Sequence, residues 1–233
     1  MKFLEAVDLP LAVKYRRALF MHPRYVPPTA WLGHIPFAFF LIAMMEPKKI
    51  VELGTFLGSS YFAFCQVVKE FKLNTECHAI DTWEGDKHVG EVTDEFYHSV
   101  VRANSVYKEF SYLNRMTFDE ASELPDLDNI DLCHIDGFHT YEAVKHDFDT
   151  WLPKMSEQGV MLFHDISEMK DDFGVWRFWS EVSREYPSCS FDHSHGLGVL
   201  LVGKKVKKDV RRFANSKHFN SYEQLFRSVG AST

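Results

Sequence analysis

Acidic and histidine side chains follow three short apolar segments of this 233-residue chain, and their types could bind a cation or move a proton. Asp81 ends one segment, Asp136 follows a second, and His164 and Asp165 follow a third. If these segments are parallel strands, their carboxyl ends meet at the sheet edge where α/β proteins bind ligands. His139 comes three residues after Asp136, close enough to share the site. The spacing therefore predicts one polar cluster built from separate parts of the chain.

The predicted cluster offers two kinds of chemistry. Carboxylate oxygens and an imidazole nitrogen suit a divalent cation, so Asp136, His164 and Asp165 are the predicted ligands of one metal ion. His139 is the predicted general base, with Asp136 beside it, because imidazole titrates near neutral pH and a hydroxyl is a poor nucleophile until its proton is removed. Two alternatives stay open: His164 and Asp165 only hydrogen-bond their loop, and His139 only caps the helix that follows.

A stretch with two spaced glycines is predicted to bind a ligand next to these side chains. Lys49 to Leu53 reads as a short buried strand, and Gly54 and Gly58 allow the backbone to turn and approach a ligand closely. Glu52 lies near the carboxyl end of this strand, where a carboxylate would meet the ligand. The Gly-x-x-x-Gly spacing differs from the Gly-x-Gly-x-x-Gly of dinucleotide folds, so the stretch predicts a nucleotide-type cofactor other than a dinucleotide.

Four motifs, taken in order, resemble those of the class I S-adenosylmethionine-dependent methyltransferases. The stretch from Val51 to Gly58 stands in place of their first motif, and Asp81 stands in place of the acid that binds the ribose. The narrower likeness is to the small-molecule O-methyltransferases that act on sugars and macrolides, and it covers Trp31 to Gly203. The motifs that carry it are Asp81-Thr82-Trp83-Glu84-Gly85-Asp86, Asp136-Gly137-Phe138-His139-Thr140-Tyr141 and Phe163-His164-Asp165.

The resemblance implies S-adenosylmethionine as the cofactor and a divalent metal, Mg²⁺ or Mn²⁺, as a second one. Related sugar methyltransferases use an Asp-x-x-His pairing, which agrees with His139 as the base. In catechol-type enzymes three metal ligands come from these strand ends, and His164 stands where they have a carboxylate, which also admits iron or zinc. The implied cofactor-binding residues are Glu52, Gly54, Thr55, Gly58, Ser59, Asp81, Thr82, Trp83 and Asp136.

The order of elements predicts an α/β fold. Apolar strands alternate with helices that carry one apolar stripe, which gives βαβ units and a parallel sheet. The last two strands, residues 188–192 and 198–203, are joined by only five residues and must form an antiparallel hairpin. We therefore predict a Rossmann-like, seven-stranded, mostly parallel sheet with a terminal antiparallel strand, as in class I methyltransferases. The predicted division is an N-terminal extension (1–30), a methyltransferase domain with an N-terminal helical lid (31–203), and a basic linker with a tail helix (204–233).

The composition of the chain limits which classes of ligand and which compartment are expected. The chain has 26 basic and 33 acidic residues and a net charge of −7, which disfavours nucleic acid and favours a small neutral or cationic ligand. Four separated cysteines without a Cys-x-x-Cys pair indicate free thiols in a reducing cytoplasm. The acidic N-terminus is not a signal peptide, and the most apolar segment is too short to span a membrane, so we predict a soluble, cytoplasmic protein.

The predicted function is methyl transfer from S-adenosylmethionine to a hydroxyl of a sugar or other polyhydroxylated small molecule, assisted by a metal. The acceptor could be a glycan or a glycosylated metabolite, and the chain could form a homo-oligomer or be fused to a further domain. Two alternatives are a metal-independent methyltransferase that uses His139 alone, and a noncatalytic cofactor-binding module attached to a glycosyltransferase-type partner. The candidate substrate contacts are Trp31 and His34, as exposed tips of the lid, with His88, His193 and His195.

Overall fold

The computed structural model describes residues 9–86, 90–91 and 93–231. Its main feature is one seven-stranded sheet with the strand order β3-β2-β1-β4-β5-β7-β6. The strands are β1 (Lys49–Leu53), β2 (Glu76–Asp81), β3 (Ser111–Arg115), β4 (Ile130–Ile135), β5 (Met155–His164), β6 (Ser188–Phe191) and β7 (Leu197–Leu201). A separate two-stranded antiparallel ribbon pairs Gly85–Asp86 with Gly90–Glu91.

The first five strands are parallel to one another, and the sheet ends in an antiparallel hairpin. β7 is antiparallel to both β5 and β6, so β6 runs in the same direction as β5. The turn between β6 and β7 therefore lies at the carboxyl edge of the parallel strands. Every residue of β4 is buried, as expected for a strand covered by helices on both faces. The predicted class I methyltransferase fold is confirmed.

Helices cover both faces of the sheet and enclose two apolar clusters. The larger cluster includes α3 and α4, and the smaller one includes α7 and α8. The helices are α1 (Pro10–Lys14), α2 (Arg16–Leu19), α3 (Ile35–Met45), α4 (Ser59–Phe71), α5 (Asp94–Asn104), α6 (Phe118–Ser122), α7 (Tyr141–Trp151), α8 (Val175–Val182), α9 (Lys208–Ala214) and α10 (Phe219–Gly230), with short 3₁₀ helices at Trp31–His34 and Leu152–Lys154.

Both ends of the described chain pack into the larger cluster, which differs from the predicted extension and linker. Leu11 and Leu19 from the N-terminal helices are buried there, as are Phe213 of α9 and Phe226 of α10. The Phe213 ring lies 5.7 Å from the ring of Phe37 on α3. Lys204 and Lys205 are exposed in the turn before α9, and Lys208 and Arg212 are exposed on α9, whereas Val206, Val210 and Phe213 between them are buried.

Two smaller predictions concern membranes and thiols. Among the described residues, no helix is long and apolar enough to cross a bilayer, and the apolar α3 has only eleven residues.

All four cysteines are free, and three of them are buried in strands or helices that face the core. The thiols therefore serve as small apolar side chains in this fold.

Candidate active site

The turn after β1 requires glycine at two positions. Gly54 has a φ of +85° and Gly58 a φ of +81°, in the left-handed region that side chains disfavour. A Cβ on Gly54 would also collide with the carbonyl oxygen of Asp136 at the end of β4. Gly58 ends the turn as the residue that precedes α4. The two glycines thus let the β1 turn lie directly against the carboxyl end of the neighbouring strand.

Asp81 fastens this turn to the end of β2. Its Oδ2 accepts hydrogen bonds from the backbone N–H groups of Thr55 (2.9 Å) and Phe56 (2.8 Å), and its Oδ1 accepts one from Trp83 (2.7 Å). The Trp83 indole in turn donates to the carbonyl of Phe56 at 2.8 Å. Hydrogen bonds to a carboxylate are among the stronger ones in proteins, so the two turns are held as one unit.

A first cleft of about 260 Å³ opens above these turns. Gly54, Asp81 and Trp83 line one side, and Phe118 and Gly137 line the other. Thr82 also lines it. Aromatic walls with one carboxylate at the end of β2 suit a nucleoside, because its base is flat and its ribose offers two hydroxyl groups.

A second cleft of about 470 Å³ adjoins the first. Gly54, Phe56, Asp136 and His139 line both clefts, so they stand at the junction. The second cleft extends past the end of β5 towards the β6–β7 turn, and it is lined there by Ser59, Thr55, His164, Asp165, Glu168, Phe173 and His195, among others. The side chains that the sequence predicted to meet at the sheet edge therefore surround this junction.

His139 is held at the junction by contacts on both sides of its ring. Its Nε2 lies 2.9 Å from Oδ2 of Asp165 and 4.0 Å from Oδ1 of Asp136. The imidazole stacks on Phe173 with 4.7 Å between ring centroids, and the His139 carbonyl accepts a hydrogen bond from Gly174 N–H at 2.8 Å. One donor atom from each of Asp136, His139 and Asp165 lies within 4.8 Å of the others. These three residues form the candidate catalytic cluster.

His164, a predicted metal ligand, contacts both carboxylates of this cluster but is not one of the three residues whose donor atoms come together. Its Nδ1 is 3.2 Å from both Asp136 and Asp165, and its Nε2 is 3.0 Å from the carbonyl oxygen of Ser194. Both ring nitrogens are thus engaged. Asp165, the next residue, has a left-handed φ of +60° that turns its carboxylate towards His139.

The charges of this group depend on one another. Burial alone would lower the pKa of His164, but the facing carboxylates of Asp136 and Asp165 outweigh it and raise the pKa to about 10. Burial would raise the pKa of Asp165, but its hydrogen bonds with His139 and His164 hold the pKa well below its usual range. Burial likewise opposes the lowering of the Asp136 pKa by the His164 charge. An imidazolium therefore sits between two carboxylates.

Glu52 was predicted to meet the ligand, but it is fully buried and lines neither cleft. Its Oε2 lies 2.8 Å from Nδ1 of His134, which is its register neighbour on β4. His134 Nε2 lies 4.0 Å from Oδ2 of Asp136. Burial raises the pKa of Glu52. This pair could not be predicted from the sequence. A strand that is buried on both faces has no alternation of polar and apolar residues, so its sequence does not show which side chains of neighbouring strands meet.

The residues that the sequence predicted as substrate contacts differ in how exposed their side chains are. Trp31 and His34 are buried, with exposures of 2% and 0%, so they are not exposed lid tips. Trp31 nevertheless lines the second cleft, whereas His34 does not, and burial holds the pKa of His34 well below its usual range. His193 Nε2 lies 3.2 Å from the carbonyl of Gly33, whereas His195 opens onto the second cleft. His88 lies outside the described residues.

Comparisons with known proteins agree with this architecture. Residues 51–166 match the family model described as a methyltransferase domain. An uncharacterised protein of Sinorhizobium fredii, y4gI, is 43% identical over 210 residues, which cover 88% of this chain and 23% of that protein. The chain thus spans about a quarter of the length of this relative.

Solved structures share the fold at low sequence identity. One is a Staphylococcus aureus protein that carries the name of a caffeoyl-CoA O-methyltransferase, with a TM-score of 0.57, 15% identity, and coverage of 86% of this chain and 95% of that one. The O-methyltransferase TomG of Streptomyces achromogenes, in complex with S-adenosylmethionine, has a TM-score of 0.53 and 15% identity over 85% and 90% of the two chains. An O-methyltransferase of Bacillus cereus has a TM-score of 0.53 and 11% identity over 84% and 90%. The chain therefore contains a methyltransferase domain, and its sheet has the class I methyltransferase fold.

Proposed function

We propose that this enzyme transfers the methyl group of S-adenosylmethionine to a hydroxyl of a sugar or other polyhydroxylated small molecule. The observation that carries the proposal is the position of His139 and Asp136 at the junction of the two clefts. The nucleoside of the cofactor fits the first cleft, with its ribose at Asp81, and the acceptor fits the second. TomG and the Bacillus cereus protein, which hold S-adenosylmethionine and S-adenosylhomocysteine, support this choice of cofactor.

The residues of this chain supply the proton acceptor. As the acceptor oxygen forms its bond to the methyl carbon, the bond from that carbon to the sulfonium sulfur breaks and S-adenosylhomocysteine leaves. Because Nε2–H of His139 donates to Asp165 at 2.9 Å, the hydroxyl proton moves to Nδ1, the other nitrogen of the ring. Asp165 and the stacked ring of Phe173 fix the direction of the imidazole. Such positioning, which holds the reacting groups in line, accounts for a large part of the acceleration in reactions of this kind.

The same cluster has the donor atoms for a divalent cation. Two carboxylate oxygens and one imidazole nitrogen, from Asp136, Asp165 and His139, lie within 4.8 Å of one another, and such a set suits Mg²⁺, Mn²⁺ or a later transition metal. A divalent cation bound there would take the His139 imidazole as a ligand, so in that form the cation, as a Lewis acid, would lower the pKa of the acceptor hydroxyl in place of the imidazole base. His164, the imidazole ligand that the sequence predicts, lies 3.2 Å from both carboxylates, so the set of Asp136, His164 and Asp165 stays part of this proposal.

One observation favours the metal-independent alternative. The His164 imidazolium already neutralises charge between Asp136 and Asp165, at 3.2 Å from each. In that form His139 acts as the base and Asp165 stabilises its cation, as in other histidine–carboxylate pairs. Both forms transfer the methyl group to the same oxygen, and they differ in whether chelation stops turnover.

The test is single-turnover methyl transfer from labelled S-adenosylmethionine to a panel of glycosides. We expect His139→Ala to slow transfer by roughly 10²- to 10⁴-fold, the usual contribution of a positioned acid or base, while S-adenosylhomocysteine binds with nearly unchanged affinity in calorimetry. His146→Ala is the matched control, because His146 lies on α7, which begins two residues after His139, and is exposed and paired with Asp119. Transfer at the wild-type rate by the His139 variant would refute the base role.

A further inference from the structure

We propose that Glu168 and His195 form an acceptor subsite that binds a second hydroxyl, next to the one that is methylated, on an uncharged polyol. This inference rests on the proposed function and adds the residues and the charge class that select the acceptor. Both side chains line the second cleft together with Asp136, His139 and Asp165. A molecule that places one hydroxyl at His139 therefore extends towards this pair.

The pair is complementary to a hydroxyl group. Oε1 of Glu168 lies 2.5 Å from Nδ1 of His195, and the side chains are 19% and 43% exposed. Since Nδ1 faces Glu168, Nε2 is the ring nitrogen that can bind the acceptor. Since Nδ1–H donates to Glu168, Nε2 is an acceptor, so a hydroxyl can donate either to Nε2 of His195 or to the carboxylate of Glu168. Two neighbouring hydroxyls of a sugar ring satisfy the site and the subsite together.

The backbone holds the subsite rigidly against the catalytic cluster. The Glu168 N–H donates to the carbonyl of Asp165 at 3.1 Å, and the Ser167 N–H donates to the carbonyl of His195 at 2.9 Å. Gly196 has a φ of +87°, and a Cβ there would collide with Oγ of Ser167. The loop after β5 and the β6–β7 turn are therefore in direct contact, and they fix the distance between subsite and cluster.

His195 has a backbone conformation that its side chain disfavours. Its φ is +66°, and that of the preceding Ser194 is +51°. Glycine or asparagine would adopt this left-handed conformation at lower cost, and strained residues of this kind concentrate at functional sites. The imidazole of His195 is exposed on the cleft and does not fill the core, so core packing does not explain why a histidine has this disfavoured conformation. A role in binding the acceptor explains it.

The charges of the clefts select against anionic acceptors. Neither cleft is lined by a lysine or arginine among the residues that the structure describes, whereas Asp136, Asp165 and Glu168 all face the second cleft. The charge of His164 is buried between two of these carboxylates. Lys170 reaches Glu168 at 3.6 Å from outside and is 79% exposed. A phosphorylated or coenzyme A-linked acceptor would meet carboxylates without the cations that usually bind phosphate.

The experiment is saturation-transfer NMR on protein loaded with S-adenosylhomocysteine, combined with the transfer assay. The probes are methyl glucoside and other neutral glycosides, compared with glucose 6-phosphate and coenzyme A. The variants are Glu168→Gln and His195→Asn, the second chosen because asparagine tolerates the left-handed backbone. Glu157→Gln is the control, since Glu157 is an exposed carboxylate paired with Lys205 far from the cleft.

We expect neutral glycosides to bind and the anionic probes not to bind. Each subsite variant should weaken glycoside binding, or raise KM in the transfer assay, by about tenfold or more, while single-turnover rate at saturation and S-adenosylhomocysteine affinity change little. Preference for an anionic probe, or unchanged glycoside binding in both variants, would overturn the subsite. Glycoside binding that depends on the pair but is never followed by methyl transfer would instead refute the proposed function and leave the subsite standing.

Discussion

Asp147 on α7 gives a prediction whose size follows from the structure. This carboxyl is only 6% exposed and lies below Gly137, its Oδ2 3.7 Å from where a Cβ on that glycine would stand. Burial raises the pKa of Asp147 from the usual 3.8 to about 7. We expect Asp147→Asn to stabilise the protein at alkaline pH and to have little effect at acidic pH, because an amide has the size of the neutral acid without its charge.

The sign and the magnitude follow from proton linkage. Between about pH 4 and pH 7 the unfolded carboxyl has lost its proton while the native one keeps it, so the unfolded state binds fewer protons and the free energy of unfolding falls as pH rises. Above about pH 7 both states are ionised and the fall stops. The pKa of Asp147 is raised by about three units, and each unit corresponds to about 1.36 kcal/mol. From acidic to alkaline pH the free energy of unfolding of the wild-type protein therefore falls by on the order of 4 kcal/mol, and that of the variant does not.

The assay is urea unfolding followed by fluorescence at a series of pH values from about 4 to about 9. Asp149→Asn is the matched control, because Asp149 lies on the same helix, is 56% exposed and forms an ion pair with Lys145. Its stability difference from wild type should stay small and nearly constant across this range. A difference between wild type and Asp147→Asn that does not grow from pH 4 to pH 7, or a variant that is less stable at pH 8, would refute the reasoning.

Three further predictions concern the site. Asp81→Asn should weaken S-adenosylhomocysteine binding by about tenfold or more in calorimetry, because an amide cannot accept all three backbone hydrogen bonds that hold the turn, and unchanged affinity would contradict this role. Chelation should abolish turnover and Mn²⁺ should restore it if Asp136 and Asp165 hold a metal; full activity in excess chelator, with no metal by elemental analysis, supports the metal-independent form. Gly54→Ala should lower Tm in calorimetry, because its Cβ collides with backbone at Asp136, and an unchanged Tm would show that the turn can shift.

The strands and the acids at their ends could be predicted from the sequence because those signals are local. β1 has the predicted bounds, Lys49–Leu53, since a short apolar run defines it. Asp136 and Asp165 meet because parallel strands bring their carboxyl ends to one edge. The hairpin of β6 and β7 followed from the length of its loop alone.

Contacts between side chains of different elements could not be predicted in the same way. His139 follows Asp136 by three residues and His164 follows it by 28, yet both imidazoles contact the Asp165 carboxylate, at 2.9 and 3.2 Å, and no local pattern in the sequence predicts this. Trp31 and His34 were predicted to be exposed tips of a lid. His34 is instead covered by the β6–β7 turn, about 160 residues later, whose Ser194 carbonyl lies 3.3 Å from its ring.

The C-terminal helix shows how such a contact reaches the active site. Glu223 on α10 lies 3.5 Å from Nδ1 of His193, at the start of the β6–β7 turn, and the carbonyl of Ser194 in that turn lies 3.0 Å from His164. Gly230 at the end of α10 packs on Gly33, and a Cβ on Gly33 would collide with Oγ of Ser194. The helix that composition marked as a tail therefore holds the turn against which His164 is oriented. Because His164 lies between the two carboxylates of the cluster, the arrangement of charge at the junction depends on the chain folding as one unit through α10.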